Sequence, residues 1–67
     1  MRTKRQREFI DAAMKLVAEN GFSGFTIRNV ASAVGVTEPA VYRHFSNKLD
    51  LLTAMLEDLQ AAIVRIV

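Results

Sequence analysis

The sequence predicts an all-α fold: three helices, the second and third forming a helix-turn-helix, and then the start of a long fourth. Three observations point there. The chain-breaking residues Gly21, Gly24, Gly35 and Pro39 all fall between positions 20 and 40, so both flanks are free to run as long helices. Apolar residues recur at three- and four-residue steps, the spacing that aligns one face of an α-helix. Residues whose side chains cap free backbone amides, Thr26, Thr37, Ser46 and Asn47, stand where helices would begin.

The first helix is expected over about residues 4–20. Phe9, Ala13, Leu16 and Val17 share one stripe, widened by Ile10 and Met14. Asn20-Gly21 reads as its end, with Gly21 in the left-handed conformation that closes many helices. Phe22, folding back on the last turn, and Phe25 in the loop are both expected to plug the core. The second helix, about 27–34, starts at Thr26, whose hydroxyl can accept from a first-turn amide. Ile27, Val30, Ala31 and Val34 fall on one face. Gly35 ends it, and a helix so short needs tertiary packing to persist.

The third helix is expected over residues 38–45. Thr37 is its N-cap candidate, and Pro39 sits in the first turn, where its missing N–H is not needed. Val41 and Phe45 are four apart and face inward together. The fourth helix is expected from about residue 47 to the end, capped by Ser46 or Asn47, with Asp50 completing a weak capping box. Leu52, Leu56, Leu59, Ile63 and Ile66 form a heptad-like seam. Leu49, Leu51, Met55, Ala62, Val64 and Val67 add apolar surface beyond one stripe, so burial on more than one side is expected.

Composition narrows the function classes. The 67 residues make one small domain, and a chain this short buries only roughly 60% of its unfolded surface. A hydrophobic content of 51% is rich for that size and suggests an apolar face that takes a partner. There is no cysteine, and the lone His44 builds no zinc site, so no metal or cofactor is expected. Neither a signal peptide nor a membrane-length apolar run is present, which makes a cytoplasmic protein the default. No nucleophile with an acid–base partner and no glycine-rich phosphate loop argues for an enzyme. The net charge is only +2, but Arg2, Lys4, Arg5 and Arg7 cluster at the N-terminus, with Arg28, Arg43 and Lys48 further on. One basic side suits a polyanion, while a plain solvated tail explains the N-terminal cluster equally well.

Residues 26–45 carry the functional signal. Two short helices separated by Val34-Gly35-Val36 make a helix-turn-helix, a unit whose second helix enters the major groove of DNA. Its outward residues, Thr37, Glu38, Pro39, Ala40, Tyr42, Arg43 and His44, are small, polar or aromatic with a polar tip. A merely solvated face would more often carry Lys and Glu.

The run Thr26-Ile27-Arg28-Asn29-Val30-Ala31, then Ala33-Val34-Gly35-Val36-Thr37, Ala40-Val41-Tyr42-Arg43-His44-Phe45 and Asn47-Lys48-Leu49-Asp50-Leu51-Leu52 resembles the signature of the tetracycline-repressor (TetR) family. Ala12-Ala13, Leu16 and Asn20-Gly21-Phe22 also fit, so the resemblance covers about residues 5–56. It implies that Thr26 and Arg28 hold a phosphate and that Thr37 does so or touches a base. It puts Ala40 near bases, within reach of a thymine methyl, with Tyr42 and His44 on the DNA backbone and Lys48 on a phosphate. Arg43 can pair with guanine or only neutralise a phosphate; Glu38 can accept from cytosine or cap its own helix. Asn29 departs from the acidic residue more usual at that position.

The resemblance further implies a homodimer on a palindromic double-stranded operator, with a small-molecule effector bound by a C-terminal domain. On that basis residues 1–46 are the DNA-binding domain and residues 47–67 a helix leading toward a ligand-binding and dimerisation domain missing here. The chain is expected to be a fragment of a longer regulator, monomeric or weakly dimeric by itself. The rival reading is a helical protein-interaction module pairing through the fourth helix. A membrane-surface role for residues 49–67 is disfavoured by Glu57 and Asp58.

Overall fold

The computed structural model describes residues 2–66, with side chains through residue 63. Its elements are α1 (Lys4–Asn20), a single 3-10 turn (Phe22–Gly24), α2 (Ile27–Val34), α3 (Glu38–Tyr42) and α4 (Lys48–Ile66). No strand occurs among the described residues. The apolar side chains at Val64, Ile66 and Val67, which the heptad-like seam and its flanks include, lie outside the described side chains.

The start of α1 is a capping box. Thr3 Oγ1 accepts from Gln6 N at 3.1 Å, and Gln6 Oε1 accepts from Thr3 N at 3.0 Å, so two otherwise free donors are satisfied reciprocally. The helix then buries Phe9, Ile10 and Ala13, with Met14, Leu16 and Val17 partly buried beside them. At its far end Gly21 does take a positive φ of 75°, but with ψ at 179°. That is an extended conformation nearly exclusive to glycine, not the left-handed helical one expected. The chain therefore leaves α1 outward and turns back through the 3-10 turn.

The excursion decides the fate of the two loop phenylalanines. Phe25 is fully buried, whereas Phe22 remains 56% exposed and meets Phe25 edge-on, with ring centroids 5.7 Å apart. Phe22 is thus no core plug, because Phe25 already fills that place.

The turn after α2 is tightly specified. Val36 N donates to Ala31 O at 2.9 Å and Gly35 N to Ser32 O at 3.2 Å, the paired bonds of a Schellman motif. Gly35 sits at φ 89°, ψ 31°, where a Cβ would be strained. This closure sends the chain into α3 at a fixed angle. α3 itself ends at Tyr42, three residues short of the expected 45. Arg43 and His44 form a turn, closed by His44 N on Val41 O at 2.9 Å and by Phe45 N on the same oxygen at 3.0 Å. Phe45, just before α4, is nearly fully buried.

Asn47 caps α4, its Oδ1 accepting from Asp50 N at 2.8 Å. Asp50 reaches back to Ser46 N at 3.0 Å, one residue earlier than in a standard box. The core closes with Phe9, Ile10 and Ala13 against Phe25, Ile27, Val30, Ala31, Val41, Phe45, Leu51, Ala54 and Met55. α4 therefore turns Leu51, Ala54 and Met55 inward rather than the heptad-like seam. Leu52 is partly buried, while Leu56, Leu59 and Ile63 stand roughly half exposed (48–56%). Between α1 and α4 these side chains leave an open apolar groove of ≈ 420 Å³, lined among others by Met14, Val17, Phe22, Leu52, Leu56 and Leu59. No described helix is long and apolar enough to cross a membrane.

Candidate nucleic-acid interface

The interface is built on α3 and the two helix starts beside it. Val41 is wholly buried and Phe45 nearly so, with Phe45 edge-on to Phe9 at 6.3 Å. These two anchors leave the opposite side of α3 to solvent. Thr37, Pro39, Tyr42 and Arg43 are exposed there, and Ala40 is half-buried between them. Tyr42, 49% exposed, points away from the core, so its ring and hydroxyl are free to meet a ligand.

Thr37 occupies the N-cap position of α3 in extended backbone, yet its side chain makes no capping bond. Its hydroxyl is exposed and makes no bond to the helix that it opens. Thr26 differs: its Oγ1 accepts from Asn29 N at 3.0 Å, which leaves the hydroxyl hydrogen to donate. Asn29, the departure from the family pattern, donates through Nδ2 to Gly24 O at 2.9 Å. A carboxylate could not make that bond, so the amide ties the loop to α2 in its own way.

Charge at the interface is one-sided. Between residues 20 and 49 the sequence holds three cations, Arg28, Arg43 and Lys48, against one acid, Glu38. Glu38 is half-buried and lies 3.9 Å from the Arg28 guanidinium, whose side chain is 82% exposed. The contact is loose, and it turns the carboxylate toward α2 rather than leaving it to cap its own helix. Arg43 is in no ion pair among the described residues. His44 is half-buried with its ring 5.4 Å from that of Phe9, so packing constrains it. Lys48, in the first turn of α4, lays its Nζ over the Phe22 and Phe25 rings at 5.3 and 5.1 Å. The structure thus gathers Thr26, Arg28, Thr37, Glu38, Pro39, Ala40, Tyr42 and Arg43 along α2 and α3, with His44 and Lys48 just beyond.

One member of the N-terminal basic cluster goes elsewhere. Arg2 bonds Glu57 at 2.8 Å and stands 3.5 Å from Asp58, both on α4. The bond to Glu57, with both carboxylates nearby, raises its already high pKa. Arg2 fastens the chain start to α4. Arg5 pairs loosely with Glu8 at 3.7 Å. Among the described residues no group of histidine, cysteine and carboxylate side chains is placed to hold a metal.

A short helix across which a second is held by a glycine turn, with a cationic rim and an uncovered outer face, defines a helix-turn-helix DNA-binding domain. Comparison with known proteins gives its family. Residues 9–55 match the model of the bacterial regulatory proteins, tetR family. The chain is 46% identical over 55 residues to the tetracycline repressor protein class C of Escherichia coli, covering 81% of this chain and 25% of that protein. It is 33% identical over 60 residues to the fatty acid metabolism regulator protein of Bacillus subtilis (87% and 31%). It is 45% identical over 56 residues to the transcriptional regulator SrpR of Pseudomonas putida (84% and 26%). No solved structure gives a significant match. The chain belongs to the tetR family of regulators, which are transcription factors and not enzymes. It spans about a quarter to a third of the length of these relatives.

Proposed function

We propose that the chain is the sequence-reading head of a transcriptional repressor, docking α3 in the major groove of a duplex with α2 across the backbone. The carrying observation is the division of α3. Val41, with Phe45 just beyond the helix, anchors it, while Thr37, Pro39, Tyr42 and Arg43 are uncovered. A helix held from behind in this way meets base edges without rearrangement.

Each residue then has a role. Thr26, Arg28 and Lys48 hold phosphates, Tyr42 and His44 touch the backbone, and Thr37, with its hydroxyl unused, takes a phosphate or a base. Ala40 and Pro39 allow close approach, and Ala40 meets a thymine methyl. Arg43 reads guanine. Glu38 is shared between Arg28 and a cytosine amine.

The relative named as a repressor, and the greater lengths of all three relatives, support the rest of the reading. Residues 1–46 form the DNA-binding domain, with Leu51, Ala54 and Met55 of the following helix completing its core. Residues 47–67 lead toward a domain that dimerises and binds a small-molecule effector. In the cytoplasm the whole protein works as a homodimer on a palindromic operator and leaves it when the effector binds, while the segment alone is a monomer or weak dimer. The exposed Leu56, Leu59 and Ile63 also suit the rival reading, a module that pairs through α4.

Fluorescence anisotropy against random duplex DNA at low salt tests the proposal, followed by selection of bound duplexes. The expected outcome is salt-sensitive binding to random duplex and enrichment of a defined half-site. Absence of binding at low salt, with the chain folded, refutes it and leaves the pairing module.

A further inference from the structure

We propose that Phe22 is a positioning residue for Lys48: with Phe25 it forms an aromatic corner that holds the ammonium ready for a DNA phosphate. The inference rests on the DNA-binding reading above. The core place beside the loop is taken by Phe25, and Phe22 stays at the surface, edge-on to it with the two ring planes at 61°. Two faces so inclined make a corner, and the Lys48 Nζ sits in it, 5.3 Å from one centroid and 5.1 Å from the other. Both distances fall inside the range at which a ring face attracts a cation.

Lys48 is otherwise poorly placed. It stands in the first turn of a helix, where the dipole opposes a positive charge, and it is in no ion pair among the described residues. The ring faces supply the missing attraction in the free protein. They engage only the inner side of the ammonium, and three N–H donors leave some to point outward. Lysine also loses much rotamer freedom when its head group is fixed. A corner that fixes it beforehand moves that loss out of the binding step. A phosphate bridging to Lys48 then meets an ordered donor rather than a waving one.

The test is a double-mutant cycle read on random duplex DNA at low salt, using Phe22→Leu, Phe22→Trp, Lys48→Met and the Phe22→Leu/Lys48→Met double variant. Leucine keeps an apolar side chain in the groove and removes the ring face; tryptophan restores a face. Phe22→Leu is expected to weaken binding about two- to fivefold, the worth of an exposed cation–π contact. Phe22→Trp recovers the loss, and in the Lys48→Met background Phe22→Leu has no effect. NMR of the unbound chain supplies a readout independent of DNA: the Lys48 ε-methylene protons shift upfield under the ring currents and return toward random-coil values in Phe22→Leu. An equal loss with and without Lys48, or the absence of the upfield shift, overturns the corner while leaving DNA binding intact. Failure of the unsubstituted chain to bind any duplex, with the upfield shift present, sinks the DNA-binding reading and the positioning role with it.

Discussion

Replacing Gly35 by alanine tests the geometry on which the reading surface depends. The residue sits at φ 89°, ψ 31°, and a Cβ built there meets no atom within 4 Å. The cost is therefore purely backbone: an L-residue in the left-handed region is disfavoured by about 1–2 kcal/mol. For a domain of this size each kcal/mol lowers Tm by about 4–8 °C, so Gly35→Ala is expected to melt about 4–16 °C below the parent. Asparagine tolerates this region better and is expected to cost less than alanine. Circular dichroism melts of the three proteins, at equal concentration and without DNA, measure both differences. An alanine variant melting within about 2 °C of the parent, or an asparagine variant less stable than the alanine one, would refute the assignment of a left-handed turn at Gly35.

Further expectations concern the interface itself. Lys48→Ala should weaken binding to cognate and scrambled duplexes alike and lower the salt slope by about 0.9, measured by anisotropy across a salt series. Arg43→Ala should cost about 1–3 kcal/mol on a selected duplex and relax preference at one base position; equal losses on scrambled DNA would confine Arg43 to the backbone. Glu38→Gln removes the only acid between residues 20 and 49 and frees Arg28, so binding to random duplex should strengthen at low salt. The same change should alter stability by less than about 1 kcal/mol, because the ion pair is exposed; a larger drop in a urea titration would show that Glu38 holds α3 in place.

The helix-turn-helix was legible because its punctuation is local. A capping hydroxyl at Thr26, a glycine at 35 and a proline at 39 each act on the nearest turn, and their effects do not depend on distant residues. The inward pair Val41 and Phe45 follows from spacing for the same reason. What escaped depends on competition between parts far apart in sequence. Two phenylalanines flank one core site, and only the packed chain shows that Phe25 takes it and Phe22 does not. Arg2 looked like one more cation in a basic run, but its carboxylates lie fifty-five and fifty-six positions away. On α4 apolar residues cover more than one side, and their spacing alone does not tell which side packs on the domain. The inner face falls to Leu51, Ala54 and Met55, which join the core with Phe9, Ile10 and Ala13, while Leu56, Leu59 and Ile63 stay half exposed. The capping box of Thr3 and Gln6 is a local signal of the same kind, its spacing standing just before the apolar run.

The brevity of α3 has a consequence for how an operator can be found. Five residues form little more than one helical turn, far too few to hold shape unaided, so this element persists only while Val41 and Phe45 remain lodged. The outer face of α3 and the interior that resists heat therefore melt together. A duplex that fits should raise the melting temperature with the logarithm of its affinity: a free concentration a hundredfold above Kd adds about 2.7 kcal/mol. A library of oligonucleotides can then be ranked with a thermometer alone, with no label on either partner.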